Sequence, residues 1–303
     1  MNIVFKVSDN VKDKMVDYYS DKKKPKTPPY AVFQAQEADS VITLYESGKV
    51  MFQGVSADID ANMWMDMEKS LNNRDIHIEE KEKHDHRYHN ISAIGSDEVG
   101  TGDYLLPIVV TAAFVDKKEI TFLEQLKVTD SKKLTDEIIL SIAPKIMESI
   151  PYESVILTNK EYNDLKKFDC NMNKVKAILH NRVLVKMVDK GFNYDRIIVD
   201  QFTSPRFYFH YLKDTKLKIT KLLFLTKAES KNMSVACASI ISRYLFLKES
   251  KKLEEKYKMK IPKGAGKEVD ETAKKLVKKY GEDILKEVSK ISFKNTDKVL
   301  EKE

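Results

Sequence analysis

Twelve residues, Glu79 to Asn90, are polar and charged and carry no apolar periodicity. Such a stretch cannot join one core, so the chain is expected to fold as two units, 1–78 and 91–303, with 79–90 as a linker. The linker and its upstream edge gather His77, His84, His86 and His89. No cysteine stands near them to complete a zinc site, and a solvated connection is the expected reading. With 303 residues, each unit is long enough to bury a core. Apolar residues at 42% and charged residues at 33% exclude a membrane-embedded chain and a disordered tail. The longest apolar run, Tyr104 to Val115, contains Pro107 and falls short of the ~18 residues that span a bilayer. Met1 to Val11 alternates and carries Lys6 and Asp9, so no signal-peptide core is expected. Two distant cysteines, Cys170 and Cys237, make a disulfide framework unexpected, and the reading is a cytoplasmic protein.

The formal net charge is +6, which permits a polyanionic partner without demanding one. It is unevenly held. Residues 1–76 carry 10 Lys/Arg against 12 Asp/Glu, whereas the remainder carries a net +8.

In the first unit Asn2–Val7 alternates as a strand, and Ser8 or Asp9 can cap a helix bearing Val11, Met15, Tyr18 and Tyr19. Three short strands follow, Ala31–Gln36, Val41–Tyr45 and Lys49–Gln53, the last two joined by the turn signal Glu46-Ser47-Gly48. A helix from about Ala57 to Leu71 carries Met63, Trp64 and Met67. The predicted order is β-α-β-β-β-α. Period-two reading sends Phe33, Ile42, Leu44, Val50 and Phe52 inward and leaves Gln34, Gln36, Thr43, Tyr45, Lys49 and Gln53 on a polar face. That face is either an ordinary solvated surface or one whose amides and hydroxyls contact a nucleic-acid groove.

Beyond Ile91, buried strands are predicted at Ile91–Gly95, Ile108–Val115, Ser154–Thr158, Arg196–Val199 and Lys221–Thr226. Helices fit Asp136–Glu148, Asn171–Asp189, Asn232–Lys248 and Val269–Tyr280. The alternation predicts an α/β domain with a mixed sheet.

Acids collect where those strands end. Asp97 and Glu98 follow one strand, Asp200 another, and Glu229 a third, where it opens a helix. Strand ends are where open α/β sheets bind ligands. Adjacent Asp97 and Glu98 point to opposite faces of a regular strand, so both serve one site only if the strand ends or bulges there. Carboxylates brought together cannot all ionise without a cation, so convergence implies hard divalent metals held by oxygen. A lone acid there is otherwise a helix cap. Gly264-Ala265-Gly266-Lys267 and Gly100-Thr101-Gly102 lack the further glycines of a P-loop and a dinucleotide fingerprint. Cys237, among Ala236, Ala238 and Ser239, suits close helix packing.

The blocks Gly95–Asp103, Asp130-Ser131-Lys132-Lys133-Leu134, Val199-Asp200-Gln201-Phe202 and Lys227-Ala228-Glu229-Ser230 resemble the signatures of the type 2 ribonucleases H, and among them the bacterial ribonuclease HIII group. Pro262-Lys263-Gly264-Ala265-Gly266 and Ser47–Gly54 are similar too. Ribonuclease HII usually has Gly-Arg-Gly where Thr101 stands, and Asp where Glu229 stands. Leu105-Leu106 and Tyr30 depart from the expected Phe-Gly and Gly. The resemblance implies a ribonuclease H fold preceded by a domain like half of the TATA-box-binding protein. It implies cleavage of the RNA strand of RNA–DNA hybrids with two Mg2+ or Mn2+ ions, leaving 5′-phosphate and 3′-hydroxyl ends; the alternatives are ribonuclease HII-like removal of single ribonucleotides from DNA and a non-catalytic hybrid-binding protein. It makes Asp97, Glu98, Asp200 and Glu229 the catalytic and metal-binding acids. Gly100, Thr101 and Gly102 would hold phosphate or a 2′-hydroxyl; Ser131 and Lys132 are candidates for backbone contact, or for simple loop chemistry. Gln34, Tyr45 and Lys49 are candidate hybrid contacts on the small sheet. No obligate protein partner is evident, and a monomer is expected.

Overall fold

A computed structural model describes residues 2–37, 40–54, 57–76, 88–166 and 170–300. The chain divides into two compact units, Met1–Lys83 and His84–Glu303. Most of the expected linker, with His77, His84 and His86, lies outside the described residues. His89 is described and stands 3.5 Å from Glu124.

The first unit runs β1 (Asn2–Lys6), α1 (Asp9–Tyr18), β2 (Ala31–Glu37), β3 (Ser40–Tyr45), β4 (Lys49–Gly54) and α2 (Ala57–Asn72). Its antiparallel sheet has the order β1-β4-β3-β2. Alternation does what the sequence predicts: Phe33, Ile42, Leu44, Val50 and Phe52 are buried with Val11, Met15 and Trp64 of the helices. The Trp64 indole N–H donates to the Tyr19 hydroxyl at 3.0 Å, which satisfies both polar atoms inside that core. Two details differ. Tyr18 is half exposed, because the inward stripe of so short a helix is filled by Val11 and Met15. Ser8 occupies the N-cap, yet its hydroxyl donates to buried Glu68 at 2.9 Å and so ties the two helices together.

The second unit has a five-stranded sheet of β5 (Ala93–Val99), β6 (Ile108–Val115), β7 (Tyr152–Leu157), β8 (Arg196–Asp200) and β9 (Leu223–Leu225), in the order β7-β6-β5-β8-β9. β5, β6 and β7 are antiparallel, while β8 and β9 run parallel to β5, as a mixed sheet requires. Between and after the strands come α3 (Ile120–Gln125), α4 (Asp136–Ser149), α5 (Asn159–Lys166), α6 (Met172–Val188), α7 (Pro205–Tyr211), α8 (Met233–Tyr257), α9 (Lys267–Tyr280), α10 (Ile284–Val288) and α11 (Asn295–Val299). Asn171 and Thr135 cap α6 and α4 with side-chain hydrogen bonds.

α8 and α6 cover the sheet, packing through separate apolar clusters. α8 comes close because its first turns are small: Ser234, Ala236, Cys237, Ala238 and Ser239. Gly95 completes the fit, since a β-carbon there would lie 2.4 Å from the Val235 amide nitrogen. This glycine does not end the strand, as the sequence suggested; β5 continues through Asp97 and Glu98 to Val99. α8 also outruns its expected end at Lys248 and reaches Tyr257. Both cysteines are buried, and burial drives the Cys237 thiol far above its usual range.

Candidate active site

β5 carries two acids on consecutive residues with no bulge: Asp97 pairs with Thr111 of β6 and Glu98 with Val110. The side chains therefore leave opposite faces of the sheet. Pairing with β8 stops one residue earlier, at Ser96 and Val199. The strand end or bulge expected at these acids is thus absent, and it is the parting of β5 from β8 that leaves Asp97, Glu98 and Asp200 within range of one another's charge. Asp200, last residue of β8, comes one step after Val199 and so falls level with Asp97 across that gap.

Asp97 meets hydroxyls on the α8 side. Its carboxylate accepts a hydrogen bond from Ser239, its Oδ1 accepts the Glu98 amide at 2.7 Å, and its backbone carbonyl accepts from Ser242. Burial, and then the charges of Glu98 and Asp200, push this carboxyl well above the usual range. Glu98 meets Lys176 and His180 on the α6 side. Its Oε1 lies 2.5 Å from Lys176 Nζ and its Oε2 lies 2.9 Å from His180 Nε2. Burial works against its ionisation, but the His180 hydrogen bond and both neighbouring cationic groups outweigh it and hold the carboxyl below its ordinary value.

Asp200 accepts the Ala228 amide at 2.8 Å, which fastens the turn after β9 and brings Glu229 to the same place. Burial raises Asp200 to about 6, opposed by that amide and assisted by the charges of Glu229 and Glu98. Glu229 is buried; its Oε1 accepts from Lys132 Nζ at 2.9 Å, and its Oε2 has no hydrogen-bond partner. An orphaned buried carboxylate oxygen beside two carboxyls that resist ionisation is a donor set suited to a cation, so these residues fit a divalent metal. Among the described residues no three acids are already closed into a metal cage, since Glu98 and Glu229 are turned to lysines.

Gly100 has φ +89°, and a β-carbon there would lie 2.0 Å from the Pro107 carbonyl oxygen, so only glycine fits. Thr101 and Gly102 follow, and nothing crowds Gly102. The loop is tied from behind. Asp103 accepts the Gly264 amide at 2.6 Å, Tyr104 donates its own amide to the Gly264 carbonyl, and buried Lys290 donates to the carbonyls of Asp103 and Leu106. Burial lowers the Lys290 ammonium to about 7 against the pull of Asp103. Leu105 and Leu106 are interior residues, so their departure from the family pattern is a packing matter.

Ser131 is buried and shares its hydroxyl with Ser239 at 2.7 Å, which places it as a brace behind Asp97 and not on the surface. Lys132, beside it, is exposed and reaches Glu229. In the small unit, Gln34 donates to Thr43 at 3.1 Å. Tyr45 and Lys49 line a shallow hollow of about 510 Å³ with Val4, Tyr30 and Met51. Tyr30 holds φ +62°, the left-handed region that explains an expected glycine there, and it is 79% exposed.

Sequence reasoning missed Lys176 and His180. Their four-residue spacing on α6 puts them on one helix face, and two cationic residues on a helix otherwise facing a sheet were the available signal.

Residues 94–296 match the family described as Ribonuclease HII, and residues 2–75 match a domain of unknown function, DUF3378. The Ribonuclease HIII of Geobacillus kaustophilus is 42% identical over 99% of this chain and 98% of its own length. That of Bacillus cereus is 39% identical over the same shares. A solved structure, Bst-RNase HIII in complex with Mn2+, superposes with a TM-score of 0.70 at 41% identity over 99% of this chain and 98% of that one. The ribonuclease H2 of Pyrococcus horikoshii covers 69% of this chain and 97% of its own, with a TM-score of 0.58 at 25% identity. The class is thus a type 2 ribonuclease H. The chain belongs to the ribonuclease HII family and is an enzyme of its ribonuclease HIII branch.

Proposed function

We propose that Asp97, Glu98, Asp200 and Glu229 hold two divalent ions, Mg2+ or Mn2+, for cleavage of the RNA strand of RNA–DNA hybrids, leaving 5′-phosphate and 3′-hydroxyl ends. The free Oε2 of buried Glu229 beside Asp97 and Asp200 carries this reading. Bound there, the ions supply the charge that activates water and stabilises the leaving oxygen. Asp97, level with Asp200 and within range of the charges of Glu98 and Asp200, would be the acid common to both ions. Lys132 faces the site from its exposed side and can turn from Glu229 to a phosphate. Gly100 and Gly102 leave backbone amides bare for a phosphate, and Thr101 offers a hydroxyl to a ribose.

Residues 1–78 serve as a substrate-binding domain, with Gln34, Tyr45 and Lys49 as its contacts, 79–90 as the linker, and 91–303 as the catalytic domain. The hollow lined by Tyr45, Tyr30 and Lys49 combines aromatic and cationic groups suited to a nucleotide backbone. Among the described residues no helix is long and apolar enough to cross a membrane, and the proposed setting is the cytoplasm, with the chain working as a monomer.

The test compares matched duplexes containing four ribonucleotides or one. Thr101 has no guanidinium to grip a phosphate bidentately, so discrimination rests on 2′-hydroxyl contacts over several nucleotides. Losing two or three contacts of about 1 kcal/mol each slows cleavage of the lone ribonucleotide roughly ten- to a hundredfold. Equal rates in magnesium would assign the ribonuclease HII specificity instead.

A further inference from the structure

The catalytic acids account for Asp97, Asp200 and Glu229, but not for what holds Glu98. Both of its oxygens are occupied, and the two occupants differ in kind. His180 is fully buried. Its ring stacks against Phe202 at 5.2 Å, its Nδ1 lies 2.8 Å from Ser96 Oγ, and its Nε2 faces Glu98 Oε2. A carboxylate only accepts, so Nε2 must carry a hydrogen. Nδ1 then meets the Ser96 hydroxyl, which can donate or accept. Ser96 and Glu98 lie two apart on β5 and so share a face, which lets one imidazole bridge them. Every polar atom of the ring is committed, and the ring has no second place to go.

Lys176 is different. Its ammonium ends a long flexible chain, reaches Oε1 at 2.5 Å, and lies 4.2 Å from the centre of the Phe202 ring. It therefore keeps an aromatic face as a seat when it lets go of the carboxylate. One occupant is fixed and one is removable.

We infer that His180, oriented by Ser96, is the positioning residue for Glu98, while Lys176 is a resident countercharge that leaves Oε1 when a divalent ion binds. The inference rests on the proposed metal-binding role of the acids. It makes opposite claims for two neighbours on one helix face. Removing the fixed donor loosens the ligand and weakens metal binding, as loss of a partner behind a ligating carboxylate commonly does by ten- to a hundredfold. Removing the removable cation takes away a competitor and strengthens it.

The experiment measures Mn2+ affinity of the full-length protein without nucleic acid, from the free-Mn2+ electron paramagnetic resonance signal, with a metal-free melting curve for each variant. His180→Leu keeps bulk against Phe202 and is expected to bind Mn2+ at least tenfold more weakly; His180→Gln restores a donor and recovers to within about threefold of wild type. Lys176→Met is expected to bind severalfold more tightly, although its metal-free melting temperature falls. Wild-type affinity in folded His180→Leu, no rescue by glutamine, or weaker or unchanged binding in Lys176→Met would each overturn the inference. If His180→Leu does not fold, Lys176→Met decides it. Asp97→Asn runs alongside: unchanged Mn2+ affinity there would overturn the acid assignment itself, whereas a loss there with no effect at His180 and Lys176 would overturn this inference alone.

Discussion

The two faces of β5 treat neighbouring carboxyls in opposite ways. Toward α8, Asp97 meets the hydroxyls of Ser239 and Ser242 and the charges of other acids, and its proton is held tightly. Toward α6, Glu98 meets Lys176 and His180, and its proton is given up readily. Consecutive strand residues face different helices, so two acids one peptide apart acquire different charge at one pH. One face stores unmet demand for a cation; the other has already met it with protein groups.

The widest predicted gap between the faces is between Asp97→Asn and Glu98→Gln. Both should lower cleavage a thousandfold or more, but they should part in stability. Asn at 97 removes a charge that burial disfavours, so the metal-free protein melts no lower than wild type. Gln at 98 leaves partly buried Lys176 with the Phe202 ring alone and costs about 2 kcal/mol, roughly 6 °C in melting temperature for a unit of this size. Equal melting temperatures for the two variants would erase the distinction between the faces.

A second measurement follows Mn2+ affinity against pH by calorimetry. Asp200 titrates near 6 in the folded protein, above its unfolded value, so the fold itself binds the proton more tightly. In the metal-free protein this group's contribution to stability is therefore greatest at low pH and falls as pH rises from about 4 to 6; Asp97 acts in the same direction. Mn2+ competes with the protons on both carboxyls, so affinity should rise at least about tenfold per pH unit up to about 6. Affinity that is level from pH 5 to 7 would remove Asp200 from the metal ligands.

The smallest expected change is at Ser239→Ala. It deprives Asp97 of one hydrogen bond that favours its charged form, worth about 1 kcal/mol, and so weakens Mn2+ binding about fivefold. Wild-type Mn2+ affinity in Ser239→Ala would show that the hydroxyls toward α8 do not tune Asp97.

The sequence made some of this legible and hid the rest for physical reasons. Strand alternation in the small unit sorted Phe33, Ile42, Leu44, Val50 and Phe52 correctly, because that sheet has its helices on one face only. In the covered sheet, alternation is absent: β6 is buried at every position. Gly95 then read as a strand end, since a glycine marks both a break and a close approach, and only the position of Val235 tells them apart. Asp97, Glu98, Asp200 and Glu229 stood out by their places after apolar runs. Lys176 and His180 did not, because their meaning comes from Glu98, about eighty residues away, and from the register that turns it toward them. Ser131 was misplaced for a similar reason, its partner Ser239 being 108 residues distant.

The fastening of the Gly100–Asp103 loop by Lys290 has a consequence for the order of manufacture. The loop emerges early in synthesis, yet its anchor is 187 residues further along the chain. A growing polypeptide can pair β5 with β6 soon after Val115 appears, but the carbonyls of Asp103 and Leu106 wait for their ammonium until Lys290 is added. A chain not yet extended to Lys290 thus carries the acids before it carries a set loop.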